Sequence, residues 1–278
     1  MFKNRNLVIA TKHEKEKVIA PLFEKEFGVK CIVPNNFDTD ILGTFSGEIE
    51  RVNDALTTVR NKCLMGMKAL NCDLGIASEG SFGMHPSAFF IPANNELIML
   101  IDTKNNLEII ASVISTETNF NAMEIYSVNE LEEFCERIKF PSHAIILKDK
   151  KYHFSRIEKG LNTREKLLPL FEEFIELYGK AYAETDMRAM YNPSRMKVIT
   201  EVSLKLIENI KSICPMCNTP GYVINKNFAG LPCELCLNPT HETLSAEYLC
   251  KKCAYSSIAN YPNGKEFSDP MFCNFCNP

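Results

Sequence analysis

The sequence predicts an α/β protein with a mostly parallel central sheet and flanking helices, followed by a cysteine-rich tail read as a double zinc ribbon. Three observations carry that expectation. Short apolar runs near residues 6–10, 29–33 and 73–77 show no alternation and are separated by stretches of helical period, the β-α-β-α-β order of buried strands joined by crossover helices. Eight of the 12 cysteines crowd into the last 65 residues as four Cys-x-x-Cys pairs. The composition, 45% hydrophobic and 24% charged over 278 residues, is that of a folded chain with room for one large domain and a smaller appendage. The boundaries expected are an α/β domain over 1–182, a linker helix over 183–212 and a zinc-ribbon domain over 213–278.

Each element has a local reason. Residues 12–27 place Val18, Ile19, Leu22 and Phe23 at helical spacing and end at Gly28. Residues 34–47 read as a long polar loop carrying Asp38, Asp40 and Gly43. From 50 to 70 the apolar positions Val52, Ala55, Leu56, Val59, Cys63, Met67 and Leu70 form one stripe that must lie on a sheet. A third strand ends near residue 77, and residues 78–86 read as the loop that follows it. Residues 96–101 and 107–113 flank Thr103 to Asn106 as a hairpin, because adjacent asparagines tolerate the positive φ of a tight turn. Helices follow near 128–138 and 163–178, with short strands near 143–147 and 152–157. Asn192-Pro193 reads as a helix start, Asn as cap and Pro at the first helical position.

The four pairs, Cys214/Cys217, Cys233/Cys236, Cys250/Cys253 and Cys273/Cys276, point to two structural zinc ions. A Cys-x-x-Cys turn aims two thiolates at one tetrahedral ion, and two turns close a Cys₄ shell that leaves no position for reactive water. A redox motif explains one such pair but not four. Pairing in sequence order is preferred, since each set then closes a loop of ordinary ribbon length; interleaved pairing stays open.

Charge narrows the partners. The formal net charge is −4, and from residue 214 onward five acidic side chains face four basic ones before two tetrathiolate zinc sites add four more negative charges. That sign opposes counterion-release binding to nucleic acid. No apolar run reaches a membrane span of roughly 18 residues and none near the start resembles a leader, so a cytoplasmic protein with no membrane partner is expected.

In an open parallel sheet, ligands bind beyond the carboxyl ends of the strands. Three loops should meet there, carrying Thr11, Lys12, His13 and Lys15, then Asp38, Asp40, Gly43, Thr44 and Glu48, then Glu79 and His85. Lysines at a helix start suit phosphate, and nearby carboxylates suit Mg²⁺ bridged to phosphate oxygens. The bland alternative is a solvated rim of caps and turns. No P-loop, dinucleotide, nucleophile-elbow or zincin motif occurs.

Ala10-Thr11, Gly43-Thr44-Phe45 leading to Glu48, Val59 to Lys62, Asp73 followed by Glu79-Gly80, and Gly160-Leu161 with Arg164 recur in the order of the inosine/xanthosine triphosphatase-like superfamily. Over residues 7–170 the chain resembles that superfamily, although His13 and Glu16 stand where it has Asn and Lys. The resemblance implies an α/β fold, a homodimer, and Mg²⁺- or Mn²⁺-dependent cleavage of aberrant purine nucleoside triphosphates to monophosphate and pyrophosphate. It implies Glu48, Glu79 and Asp73 as catalytic carboxylates, Thr11 with Lys12 or Lys15 at the phosphates, and Arg60 and Arg164 on substrate. Over its whole length the chain also resembles an uncharacterised bacterial family, through IASEGSFG from Ile76, STETNF from Ser115, ETDMRAMYNPSRM from Glu184 and the Cys-Asn-Pro ending. Residues 186–188 and 192–195 in the third phrase either close the crevice or cap two helices, the capping account being preferred.

The function expected is a Mg²⁺-dependent nucleoside triphosphate hydrolase with a structural zinc tail. The alternative is a non-catalytic zinc-binding module that senses a nucleotide or holds a partner.

Overall fold

The computed structural model describes residues 1–35, 37–38, 43, 47–49 and 53–278. Asp40, Thr44, Phe45 and Val52, all named from the sequence, lie outside them. The chain divides into two compact units, Met1–Leu206 and Ile207–Pro278.

In the first unit, β1 (Asn6–Ala10) leads through α1 (Glu16–Phe27) to β2 (Lys30–Ile32), and α2 (Ala55–Ala69) leads to β3 (Leu74–Met84). β1 pairs parallel with both β2 and β3. Asp54 caps α2 by accepting from the Thr57 N–H, and Val59, Cys63 and Met67 bury that helix against Ala10, Ala77, Met99 and Ile101. Beyond β3 the sheet turns antiparallel. β3, β4 (Pro92–Asp102) and β5 (Leu107–Ser115) form a meander, completing the order β2-β1-β3-β4-β5. The expected mostly parallel sheet is therefore corrected to a mixed one: connections as short as residues 103–106 cannot carry the crossover a parallel neighbour needs. Asn106 turns there with φ 54°.

The expected loop at 78–86 is corrected as well, because β3 runs through it to Met84. Gly80, inside that stretch, is a packing glycine: a Cβ there would stand 2.5 Å from Arg195 Nη2 and Glu96 Oε2.

A second, wholly antiparallel sheet, ordered β6-β9-β7-β8, comprises β6 (Ala122–Ile125), β7 (Ile145–Lys148), β8 (Ile157–Leu161) and β9 (Ala181–Thr185). Its apolar face is closed by α3 (Val128–Ile138) and α4 (Arg164–Tyr178), with Phe134, Phe171 and Phe174 at the centre. The strand expected at 152–157 lies instead at Ile157–Leu161, and residues 183–185, expected to open a linker helix, end β9. α5 (Pro193–Lys211) begins as anticipated, the Asn192 side chain accepting from the Arg195 N–H at 2.9 Å.

The second unit holds the antiparallel sheet β10 (Val223–Ala229), β11 (Thr243–Leu249) and β12 (Ser256–Asn260). Each Cys-x-x-Cys folds alike: the N–H four residues after the first cysteine donates to that cysteine's carbonyl, Asn218 to Cys214 at 2.9 Å, Leu237 to Cys233 at 3.0 Å, Ala254 to Cys250 at 2.9 Å and Asn277 to Cys273 at 2.8 Å. Tyr222 stacks against Tyr248 and Tyr255, both ring centroids 5.8 Å away, over buried Cys214 and Cys250.

Candidate functional site

β1 ends at Ala10 while its neighbour β3 continues, so a crevice opens over the end of β1 with side chains from both sheets around it. Gly66 of α2 sits so close that a Cβ would lie 2.7 Å from the Ala10 Cβ. That approach carries Lys62, one turn earlier on the helix, to the crevice, where it forms a buried ion pair with Glu79. From the opposite side Lys15, at the start of α1, donates to Ser78 Oγ at 2.8 Å, Ser78 O at 3.2 Å and Glu96 Oε1 at 3.2 Å. Arg195, in the first turn of α5, reaches the same carboxylate through Nε at 3.1 Å and Nη2 at 3.2 Å, and its Nη1 donates to Met187 O at 2.6 Å. The Phe82 ring lies 5.2 Å from its guanidinium carbon.

The second sheet supplies the facing wall. Glu184 pairs with Lys148 at 2.7 Å. Asp186, fully buried, accepts from the Gly160 N–H at 3.1 Å and from Arg188 Nε at 2.9 Å. Lys159 pairs with Glu48 at 2.6 Å. Lys12, Lys15, Lys62, Lys159, Arg188 and Arg195 all line the crevice, against the acidic Glu79, Glu184 and Asp186.

The electrostatics follow. His13 sits in this wall with its imidazole driven down to about 3, first by burial and then by the positive charges of Lys15, Arg195, Arg188 and Lys62. Burial lowers Lys15 to about 8. Burial alone would push the Glu96 carboxyl up, but the charges of Arg195 and Lys15 and their hydrogen bonds hold it at about 2. Burial raises Glu184 above the usual carboxylate range despite Lys148. The crevice is a positive environment that disfavours a further cation.

Of the residues picked from sequence, Thr11, Lys12, Lys15 and Glu79 are brought together here. Glu48 stands one ion pair away, through Lys159. Asp73 pairs instead with Arg5 at 2.9 Å, Arg60 with Glu108 at 2.7 Å and Arg164 with Glu132 at 2.5 Å, and none of these three lines the crevice. His85 accepts the Ser87 and Ala88 N–H groups at 3.2 Å, a turn contact in the β3–β4 connection. Lys62, Glu184, Asp186, Arg188 and Arg195 were not picked as site residues. The signal available was the polar phrase around residues 184–195, which both closes the crevice and caps α5.

A resident Mg²⁺ is not supported by the residues described. Among the described residues no three His, Asp or Glu side chains converge as a metal group, and Glu79, Glu184 and Asp186 each already face a cationic partner.

The cysteines do fit a metal. Cys214, Cys217, Cys250 and Cys253 form one cluster, and Cys233, Cys236, Cys273 and Cys276 the other, all Sγ atoms within each lying inside 4.8 Å of one another. Zn–S bonds near 2.3 Å would place tetrahedral sulfurs about 3.8 Å apart; Cys214 to Cys253 is 3.7 Å, Cys217 to Cys250 3.6 Å, Cys233 to Cys276 3.8 Å and Cys236 to Cys273 3.5 Å. The two clusters can hold structural zinc. Pairing in sequence order is thereby corrected to interleaved pairing. Loop length did not decide it: β11 leads from one half of the tail back to the other, so Cys250/Cys253 returns beside Cys214/Cys217.

Fold and sites together define an α/β protein with a basic crevice between two sheets and a tail of two Cys₄ clusters; no helix is long and apolar enough to cross a membrane among the described residues. Residues 62–278 match the family model described as a domain of unknown function, DUF6671, and the chain belongs to that family. The matched region holds Lys62, Glu79, Glu96, Arg188, Arg195 and all eight clustered cysteines. No curated protein matches the sequence.

Proposed function

We propose that the first unit binds a phosphoanhydride of the nucleoside triphosphate class at the end of β1 and hydrolyses it with release of pyrophosphate, while the second unit is a scaffold stapled by two zinc ions. The observation that supports this is the convergence of Thr11, Lys12, Lys15, Lys62, Glu79 and Arg195 on one crevice. Charge-assisted contacts from lysine and arginine suit phosphate oxygens, and a recess shielded from bulk water strengthens them. Mg²⁺ would enter as part of the substrate, neutralising its phosphates. Glu79 is the carboxylate best placed to orient water, since Lys62 holds it at the crevice. Of the positions that the resemblance to the inosine/xanthosine triphosphatase-like superfamily implies, Thr11, Lys12, Lys15 and Glu79 line the crevice. Closed Cys₄ shells leave no metal position for substrate, so the zinc ions are structural and their binding energy is folding energy for the tail.

A second reading, nucleotide binding without chemistry, is favoured by the ion pairs that occupy Glu79, Glu184 and Asp186. One experiment separates the two. The full chain is incubated with a panel of nucleoside triphosphates and Mg²⁺ and assayed for pyrophosphate, beside Glu79→Gln and Lys62→Met, while thermal shifts report binding. Hydrolysis requires product that falls at least tenfold in Glu79→Gln; thermal shifts without product select the binding reading; neither shift nor product rejects both.

A further inference from the structure

The crevice has an apolar side for which a bare polyphosphate has no use. Lys12 and Lys15 come from the segment after β1 and Lys62 from α2. The larger apolar side chains of the lining come instead from the second sheet and the segments beside it: Phe120 from the connection into β6, Ile146 from β7 and Met187 just after β9. Strand register gathers these three. Ile146 lies opposite Glu184, and Asn121, next to Phe120, exchanges hydrogen bonds with Thr185, its N–H donating to Thr185 Oγ1 at 3.2 Å and its carbonyl accepting the Thr185 N–H at 3.0 Å.

Phe120 ends the STETNF phrase, and its neighbours hold it in place. Asn119, 9% exposed, donates through Nδ2 to Ile138 O at 3.0 Å and accepts from Asn192 Nδ2 at 2.9 Å. The Phe120 N–H donates to Thr118 Oγ1 at 3.2 Å. Phe120 is half-buried, and its ring packs on Phe82 with the centroids 5.8 Å apart and the planes at 31°. Phe82 in turn carries the Arg195 guanidinium 5.2 Å from its centroid. A ring fixed in this way loses little freedom when another flat group lies on it, and stacking on an aromatic side chain tolerates every nucleobase because each has a π-face. A ligand with a polyanion at one end and an aromatic ring at the other uses both sides of the crevice.

We propose that Phe120 is the platform on which the nucleobase of the ligand stacks, with the phosphates on the lysines of the other side. This rests on the nucleoside triphosphate reading above and deepens it: recognition is by the face of the base, so purine and pyrimidine nucleotides both enter, purines the more tightly because they offer the larger face. Ile146 and Met187 keep water from the stacked base.

The test is calorimetric titration of the full chain, with Mg²⁺ present, using inorganic triphosphate and α,β-methylene-ATP, whose bridging carbon resists release of pyrophosphate, for wild type, Phe120→Leu and Phe120→Tyr. Phe120→Leu should weaken α,β-methylene-ATP about tenfold and leave triphosphate within about twofold, while Phe120→Tyr restores the nucleotide affinity. The proton spectrum of the nucleotide supplies a signature that a packing role would not move: the adenine ring protons should shift upfield on binding to wild type, under the ring current of Phe120, and less with Phe120→Leu. Equal weakening of both ligands in Phe120→Leu makes Phe120 a packing residue and overturns the inference, as does an unchanged nucleotide affinity. Wild type that binds triphosphate but not the nucleotide also overturns it and leaves the phosphate site standing, whereas wild type that binds neither overturns both. Where Phe120→Leu fails to fold, the wild-type spectra decide, adenine resonances without an upfield shift refuting the stacking.

Discussion

Replacing Lys15 by Met should change how stability depends on pH in the ligand-free protein. The ordinary lysine titration near 10.5 is lowered to about 8 by burial. At about 1.4 kcal/mol per pH unit, that difference makes the ionised side chain cost the folded state about 3 kcal/mol relative to the neutral one. Below pH 8 both folded and unfolded chains hold the proton, so the whole cost is present. Between pH 8 and 10.5 the unfolded chain keeps the proton and the folded chain releases it, which makes wild-type stability rise with pH. Lys15→Met lacks the group and lacks the rise. Urea unfolding followed by circular dichroism, with zinc present and ligand absent, gives the free energies of both proteins from pH 7 to pH 10.5. The difference between them should shift by about 3 kcal/mol in favour of wild type across that range. The subtraction removes every other titrating group common to the two. A difference that stays constant with pH would show that Lys15 is not held as an expensive buried cation.

Two other outcomes are expected. Cys217→Ser should reduce bound zinc from two ions per chain to one and open Cys250 and Cys253 to alkylation while Cys233 and Cys236 stay protected; mass spectrometry showing the reverse protection would mean that the pairs are joined in sequence order. Gly80→Ala should push apart the Arg195–Glu96 pair, whose atoms would lie 2.5 Å from the new Cβ, destabilising by about 3 kcal/mol and lowering Tm by roughly 10 °C. Gly83→Ala, whose Cβ meets nothing within 4 Å, is the control, and calorimetry giving equal Tm values for both would contradict the packing role of Gly80.

What could be read from sequence was what is encoded locally. The helix start at Asn192-Pro193 and the hairpin around Asn106 depend on a few adjacent residues, and the eight clustered cysteines announce themselves by spacing. The pairing of those cysteines was not legible, because it depends on where β11 and β12 return the chain. Glu79 was found for an incomplete reason: it sits not on a loop but inside a long strand, at a level where the neighbouring strand has stopped. Arg195 fell in a phrase for which helix capping was the preferred account, and Glu96 at the start of a hairpin strand. Only their meeting, 99 positions apart, makes both buried, and no periodicity in either segment contains that meeting.

The crossed linkage of the tail imposes a hazard while the chain is being made. The first four clustered thiols to emerge from a ribosome belong to Cys214, Cys217, Cys233 and Cys236, two from each finished cluster. An ion captured by that early quartet sits in the wrong cage and has to be surrendered when Cys250 and Cys253 arrive. Zinc captured by that early quartet would have to reach the finished clusters by thiolate exchange.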